Sequence, residues 1–253
     1  RFPKPDQAVA VHQIQMLPAG EVGIVPGYAM AFVNSLEITV HGRGGHGASP
    51  HFTVDPVLLA SRIVVALQGI VAREVRPLDP AVITVGSIHG GTKSNIIPDE
   101  VKLQLTVRSF KDEVQKKLLA SIARVARGEA IASGAPREPT IAVAPDAARS
   151  LYNDPALATR LRGALDRGLG RDRVKDFEPL LGSEDFSEFG RAGVPSMLLW
   201  VGGAEPKAHA EARAQGTYPP GNHTSRMTPD REPTLRTGVA TLTLSALELL
   251  GKP

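Results

Sequence analysis

Two segments of this chain alternate apolar and polar residues so regularly that they leave little freedom in what it can form. "SLEITVH" sets Leu36, Ile38 and Val40 against Glu37, Thr39 and His41; "VKLQLTVRSF" sets Val101, Leu103, Leu105 and Val107 against Lys102, Gln104, Thr106 and Arg108. A period of two describes strands with one buried and one wet face. Between them, Asp55-Pro56 supplies an N-cap carboxylate and a proline suited to the first helical position. Leu59, Ile63, Ala66, Leu67 and Ile70 then recur at helical spacing and stop before Pro77. "AVITVGSI" reads as another strand, a second helix starts near Asp112 with Val114, Leu118, Ile122 and Val125 on its stripe, and "PTIAVAP" closes the series. Residues 35–146 are thus expected to form a ferredoxin-like β-α-β-β-α-β unit, with both helices on one face of a sheet whose other face is polar.

Outside this stretch the pattern changes. "QAVAVHQI" reads as a short buried strand, followed by the turn-rich "LPAGEVGIVPGYAMA". From Asn153 helices and buried strands alternate: "DPALATRLRGALDRGLG", a short helix in "SEDFSEFGRAG", the strand "PSMLLWVGG", and a long helix in "PTLRTGVATLTLSALELL". Residues 203–222 read as an irregular loop. The expected architecture is an α/β domain, residues 1–34 and 147–253, interrupted by the insert at 35–146.

Composition narrows the function. A net charge of +3, with acidic and basic residues interleaved and only 4% aromatics, gives no basic stripe and no base-stacking surface, so no nucleic-acid partner is expected. The absence of cysteine excludes disulfides and thiolate metal ligands within this chain. No uninterrupted apolar run approaches the roughly 18 residues that span a bilayer, and no membrane partner is expected. The opening "RFPKPDQ" is neither an initiator methionine nor a secretory leader, so the chain is expected to begin within a longer protein.

"HGRGGHGASPH", residues 41–51, contains Gly42, Gly44 and Gly47 in the spacing GxGxxG, and three histidines. As a dinucleotide cradle it fails, because such glycines open a helix directly, and here "ASPHFTV" intervenes. As a metal cluster it lacks companion carboxylates. A glycine-rich turn with incidental histidines remains open on the residues alone.

The same loop lies in a longer stretch, "GRGGHGASPHFTVDPVLLASRIVVALQGIVARE" followed by "VITVGSIHGGTKSNIIPDEVKLQLTVRSF", that resembles the M20 metallopeptidase family, specifically its amidohydrolase branch of hippurate, N-acyl-amino-acid and auxin-conjugate hydrolases. "LGSEDFSEF", "GNHTSRMTPDREPTLRTG" and "VAVHQIQMLPAGEVGIVPGYAMA" resemble further segments of that branch, in the same order. The resemblance implies an α/β catalytic domain with two divalent metal ions, zinc or manganese, and an inserted lid that forms a homodimer. It implies hydrolysis of the amide bond of N-acyl amino acids or related small conjugates, in a cytoplasmic protein. His12 and His223 match metal ligands. His46 matches the lid histidine that stabilises the oxyanion in the partner subunit's site, while His41 and His51 have no counterpart and are taken as structural or solvated. Asn95, Arg108 and Gly182 match positions near the substrate, Arg108 being suited to a carboxylate. Glu184 and Asp185 look like general acid-base candidates from the residues alone, but paired carboxylates at a helix start more often cap the helix, and no catalytic role is assigned to them.

The sequence also departs from the family. The HTCGHDxH-like stretch and the Glu-Glu pair, which supply the other ligands and the general base, are absent. Two histidines cannot hold two metals, so this chain alone is expected to be inactive. Three readings follow: part of an M20 amidohydrolase, a non-catalytic remnant acting through dimerisation, or a binding protein for acylated amino acids using Asn95 and Arg108.

Overall fold

The computed structural model describes residues 3–145 and 148–251; the expected boundary at 146 lies outside them. The elements run β1 (Ala8–Pro18), β2 (Val22–Ile24), β3 (Gly27–Met30), β4 (Phe32–His41), β5 (Gly45–His46), α1 (Pro56–Arg73), β6 (Ala81–His89), β7 (Ile96–Ile97), β8 (Glu100–Ser109), α2 (Asp112–Ala132) and β9 (Thr140–Val143). They continue with β10 (Leu151–Asn153), α3 (Pro155–Leu169), β11 (Val174–Asp176), α4 (Ser187–Arg191), β12 (Ser196–Ala204), α5 (Pro206–Ala214) and α6 (Arg231–Leu250). The chain divides into two compact units: residues 30–150 with 181–184, and residues 1–29, 151–180 and 185–253.

In the first of these units the sheet order is β6-β8-β4-β9, antiparallel throughout. Alternation decides which way β8 faces. Val101, Leu103, Leu105 and Val107 are buried, whereas Lys102 and Gln104 are exposed. Leu59, Ile63, Leu67 and Ile70 of α1 and Leu118 and Ile122 of α2 meet this buried face in one core. Each such side chain contributes about 1.5–3 kcal/mol by leaving water. By length and composition α1 could cross a bilayer, but here its apolar face is spent on this core. Asp55 caps α1, its carboxylate accepting from the Val57 and Leu58 amides.

The second unit has a mixed sheet in the order β1-β12-β2-β11, with β1 parallel to β12 and β12 antiparallel to β2. Every residue of β12 is buried, which fits its unbroken apolar run. Leu157, Leu161 and Leu165 of α3 pack with Val22, Ile24, Met197 and Leu199. Asp154 caps α3 through the Leu157 amide, repeating the Asp-Pro start of α1.

Three local expectations need correction. Residues 203–222 are not all irregular: α5 spans Pro206–Ala214, with the Glu205 carboxylate accepting from the Lys207 and Ala208 amides. The turn-rich stretch after β1 contains β2 and β3, short strands held by pairing with distant segments rather than by local propensity. His41 does not face water. It is 5% exposed at the end of β4, with Nε2 3.0 Å from the Thr140 hydroxyl oxygen.

Burial, and secondarily the charge of Arg137, hold the His41 pKa below the ordinary imidazole value of 6.5, against an opposing pull from Glu100. The folded chain therefore keeps this ring neutral where the unfolded chain protonates it. The resulting stabilisation is present above pH 6.5 and is lost as pH falls through the lowered folded value. Denaturant titrations at about pH 7.5 and about pH 5.5 should show a drop at the acid value that His41→Gln reduces.

Candidate active site

The glycine loop is fixed by residues on the far side of β7. The Gly42 amide donates to the Asp99 carbonyl at 2.7 Å, and the Gly44 amide to the Asp99 carboxylate at 2.8 Å. β5 pairs with β7, Gly45 opposite Ile97 and His46 opposite Ile96, and the Gly47 amide donates to the Asn95 carbonyl at 2.8 Å. The close approach explains the glycines. A Cβ on Gly44 would stand 2.7 Å from the Ile97 carbonyl oxygen and 2.9 Å from the Asp99 carboxylate. The loop does not open α1, whose start is capped by its own Asp55, so no phosphate cradle forms.

This ribbon carries His46 exposed at its edge beside Asn95. The Ala48 amide donates to His46 Nδ1 at 3.0 Å. An acceptor Nδ1 requires the neutral ring to carry its proton on Nε2, so His46 presents an N–H donor. His51 packs at a tilt against Phe52 in the turn that follows, ring centroids 4.0 Å apart.

Arg108 lies elsewhere on the same unit. It sits near the end of β8, opposite Val33 and Val82, and its guanidinium donates to the Leu181 carbonyl. The neighbouring Gly182 carbonyl accepts from the Ala31 amide at 2.8 Å, so Arg108 and Gly182 are brought together. His46 and Asn95 are not brought to them. Glu100 marks the other end of β8, eight residues away, roughly 26 Å at the rise of an extended strand. The β5–β7 ribbon continues the β4–β8 pairing beyond that end. One small molecule cannot touch Arg108 and Asn95 of the same chain.

In the other unit, His12 stands on β1 opposite Trp200, their rings edge-on with centroids 5.2 Å apart. Its Nδ1 donates to the Gln13 carbonyl at 2.8 Å, which places the ring's lone pair on Nε2. The Asn222 amide donates to that same carbonyl at 3.1 Å, bringing the loop that carries His223 to the His12 strand. His223 is exposed and has φ of 65°, the one positive φ outside glycine among the described residues. Such a backbone costs about 1–3 kcal/mol and gathers at functional positions. Sequence pattern could not reveal it.

Among the described residues no three His, Asp or Glu side chains lie close enough to hold a metal ion. His12 and His223 have the chemistry of ligands but do not form a complete site. Glu184 and Asp185 do not cap α4 as expected, since its N-cap position is Phe186 and no side chain caps it.

Residues 33–133 match the peptidase dimerisation domain of M20 enzymes. Over 247 residues the chain is 32% identical to thermostable carboxypeptidase 2 of Saccharolobus solfataricus, covering 98% of this chain and 59% of that protein. It is 34% identical over 201 residues to the N-acetyldiaminopimelate deacetylase of Leuconostoc citreum, covering 79% of this chain and 50% of the deacetylase. A putative aminohydrolase from methicillin-resistant Staphylococcus aureus superposes with a TM-score of 0.78 at 28% identity, over 96% of this chain and 59% of that one. A Bacillus subtilis dinuclear metal-binding peptidase of the M20 family superposes with 0.71 at 25% identity, over 96% and 57%. The chain belongs to the M20 peptidase family. It spans between half and three fifths of the length of these relatives.

Two outcomes test this geometry. Gly44→Ala should cost about 1–3 kcal/mol in denaturant unfolding, the scale of forced overpacking, and should shift the His46 imidazole resonances. His223→Gly should be neutral or stabilising by up to about 1 kcal/mol, because glycine adopts a positive φ without strain.

Proposed function

We propose that the whole protein hydrolyses the amide bond of N-acyl amino acids or related small conjugates with the help of two divalent metal ions, zinc or manganese. Its metallopeptidase-type catalytic domain, residues 1–34 and 147–253 here, is interrupted by a ferredoxin-like lid at 35–146. His12 and His223 contribute part of the ligand set, and this chain alone is inactive. Such ions, when bound, would supply an activated water.

The observation that carries this reading is the state of His46. With Nδ1 accepting from the Ala48 amide, the exposed ring offers Nε2–H as a donor. A fixed donor of this kind suits the oxygen that gains negative charge when water attacks an amide carbonyl. Arg108, held beside Gly182, suits the carboxylate of the amino-acid half of the substrate. The separation along β8 requires that the two act in different sites. Homodimerisation meets that requirement, with His46 and Asn95 entering the partner's site and Arg108 and Gly182 serving their own. The same separation disfavours a binding protein in which Asn95 and Arg108 of one chain grip one ligand.

β6 is an edge strand, and α1 packs beside it with Leu58 and Val65 62% and 73% exposed. Within a dimerisation domain, this face suits a second copy. The paired substitution Leu58→Glu, Val65→Arg should weaken self-association roughly tenfold or more in sedimentation velocity, with the circular dichroism unchanged. A variant pair that sediments like the parent would remove this surface from the interface.

In the full-length enzyme His46→Ala should lower kcat by about 10²–10³-fold, the scale for losing an oxyanion donor. Metal content should be unaltered; loss of metal would make His46 a ligand instead. Arg108→Ala should penalise substrates with a free carboxylate, and equal losses on uncharged amides would contradict its role.

A further inference from the structure

The core of the dimerisation unit turns polar at one end. On the face of the sheet that packs against the helices, the inward row of β4 runs Val40, Ile38, Leu36 and then Asn34, and that of β8 ends in Ser109. Asn34 and Ser109 are 4% and 0% exposed, and Gln115 of α2 is 2% exposed. The Ser109 hydroxyl donates to Gln115 Oε1 at 2.6 Å, and Gln115 Nε2 donates to Asn34 Oδ1 at 2.6 Å. Leucine or valine would fill this end of the core without such bonds, and burying amides is unfavourable unless they are paired. The bonds run one way and end on Asn34. Its oxygen is used, and its Nδ2 hydrogens have no acceptor among the described residues. A donor left over in so deeply buried a side chain calls for an oxygen.

That side chain lines a cavity of about 280 Å³. Asp112, Gln115, Lys116 and Leu119 of α2 line it too, and their spacing puts them on one helix face. Phe32 adds an apolar wall, with the Arg149 guanidinium carbon 6.0 Å from its ring centroid. The charged groups at the cavity are therefore two cations, Lys116 and Arg149, and one carboxylate, Asp112. The volume falls below the roughly 300–1,000 Å³ of pockets for drug-sized molecules, so it suits a small ligand. Arg108 precedes Ser109 and belongs to the opposite face of β8, so this is not the surface on which Arg108 stands.

We infer that this cavity binds a free α-amino acid with an aliphatic side chain. The ligand's carboxylate takes the Asn34 Nδ2 hydrogens together with Lys116 and Arg149, its ammonium faces Asp112, and its side chain rests on Phe32 and Leu119. The position gives binding a mechanical consequence. The unit begins at residue 30 and its main segment ends at residue 150, so Asn34 follows the entry of the chain and Arg149 precedes its exit. These two segments pair, the Val33 amide donating to the Ala148 carbonyl at 2.8 Å and the Ala144 amide to the Ser35 carbonyl at 2.9 Å. A ligand held by Asn34, Arg149 and α2 ties both connecting segments to a helix of the core. The inference concerns binding by this chain and does not depend on the proposed hydrolysis, although that reaction would release an amino acid.

L-leucine, 4-methylpentanoate (the same skeleton without the ammonium) and acetate are titrated into the 253-residue chain. Binding is read by calorimetry and by the side-chain amide resonances of Asn34 and Gln115. Leucine should shift both resonances saturably and slow amide exchange at Val33. 4-Methylpentanoate should bind about tenfold or more weakly, and Asp112→Asn should remove that difference. Arg149→Gln should weaken leucine about tenfold or more, and Lys116→Gln repeats the test on α2. Arg127→Gln, at an exposed position farther along α2, should change nothing. Equal shifts with acetate and leucine would reduce the cavity to a general anion site and overturn the inference. Equal affinity for leucine and 4-methylpentanoate would overturn the assignment to an amino acid. No saturable shift with leucine would overturn the site itself.

Discussion

Strand β8 sets the dimensions on which the dimerisation unit depends. Paired on both sides, with β4 and β6, it holds the centre of the sheet, and its four inward residues anchor both helices. Ten extended residues also fix how far apart its ends must be. One end carries Arg108, tied to Leu181; the other leads through Asp99 to the ribbon with His46 and Asn95. A bend large enough to bring these ends together would break the pairing that keeps Leu103 and Leu105 dry. The core that stabilises the unit is therefore also what separates its polar groups into two sets, too far apart for one small molecule to bridge within a single chain.

The two histidines of greatest interest are given opposite chemistry by their nearest backbone group. At His12 the Gln13 carbonyl takes the Nδ1 proton and leaves a lone pair on Nε2, which suits a metal ligand. At His46 the Ala48 amide occupies the Nδ1 lone pair and leaves a proton on Nε2, which suits an oxyanion donor. Neither bond needs a distant partner, since one spans a single residue and the other two. Local chain direction at the end of an apolar run or in a glycine ribbon is enough to select the role. The Gln13 carbonyl does more than choose a tautomer, because by also accepting from Asn222 it ties the strand of His12 to the loop of His223, 209 residues away in sequence.

Legibility followed the range of the interactions. Elements whose stability comes from a periodic apolar face, such as β4, β8, α1 and α3, could be read with their caps, because the pattern and the packing are the same fact. α5 was also written locally: Glu205-Pro206 repeats the acidic-proline start of α1 and α3, but glycine and proline around it masked the signal. β2, β5, β7 and β11 were not legible, being two or three residues long and existing only through partners far away in the chain. For the site, resemblance pointed to His12, His46 and His223, but no pattern in the residues could give a tautomer or the φ of His223. For His41 the residues left a structural or a solvated role open, because alternation assigns a side but ignores the end of a strand, where β9 covers it through Thr140.

In the dimerisation unit both helices turn their apolar stripes inward and the opposite face of β8 is polar, while Leu58, Val65, Leu78 and Ile131 are among the apolar side chains left exposed. In the other unit α6 buries Thr237, Thr241 and Ser245, packs Leu244 and Leu249 partly against the core, and leaves Leu235, Leu242, Leu247 and Leu250 exposed. Thr237, Thr241 and Ser245 permit close packing of α6 on the sheet; the Ser245 hydroxyl returns its hydrogen bond to the Thr241 carbonyl and the Thr237 hydroxyl accepts from Arg173. No comparable argument explains leucines in water. α6 thus sets small residues against the sheet, where they allow close approach, and carries much of its apolar area on the side facing away.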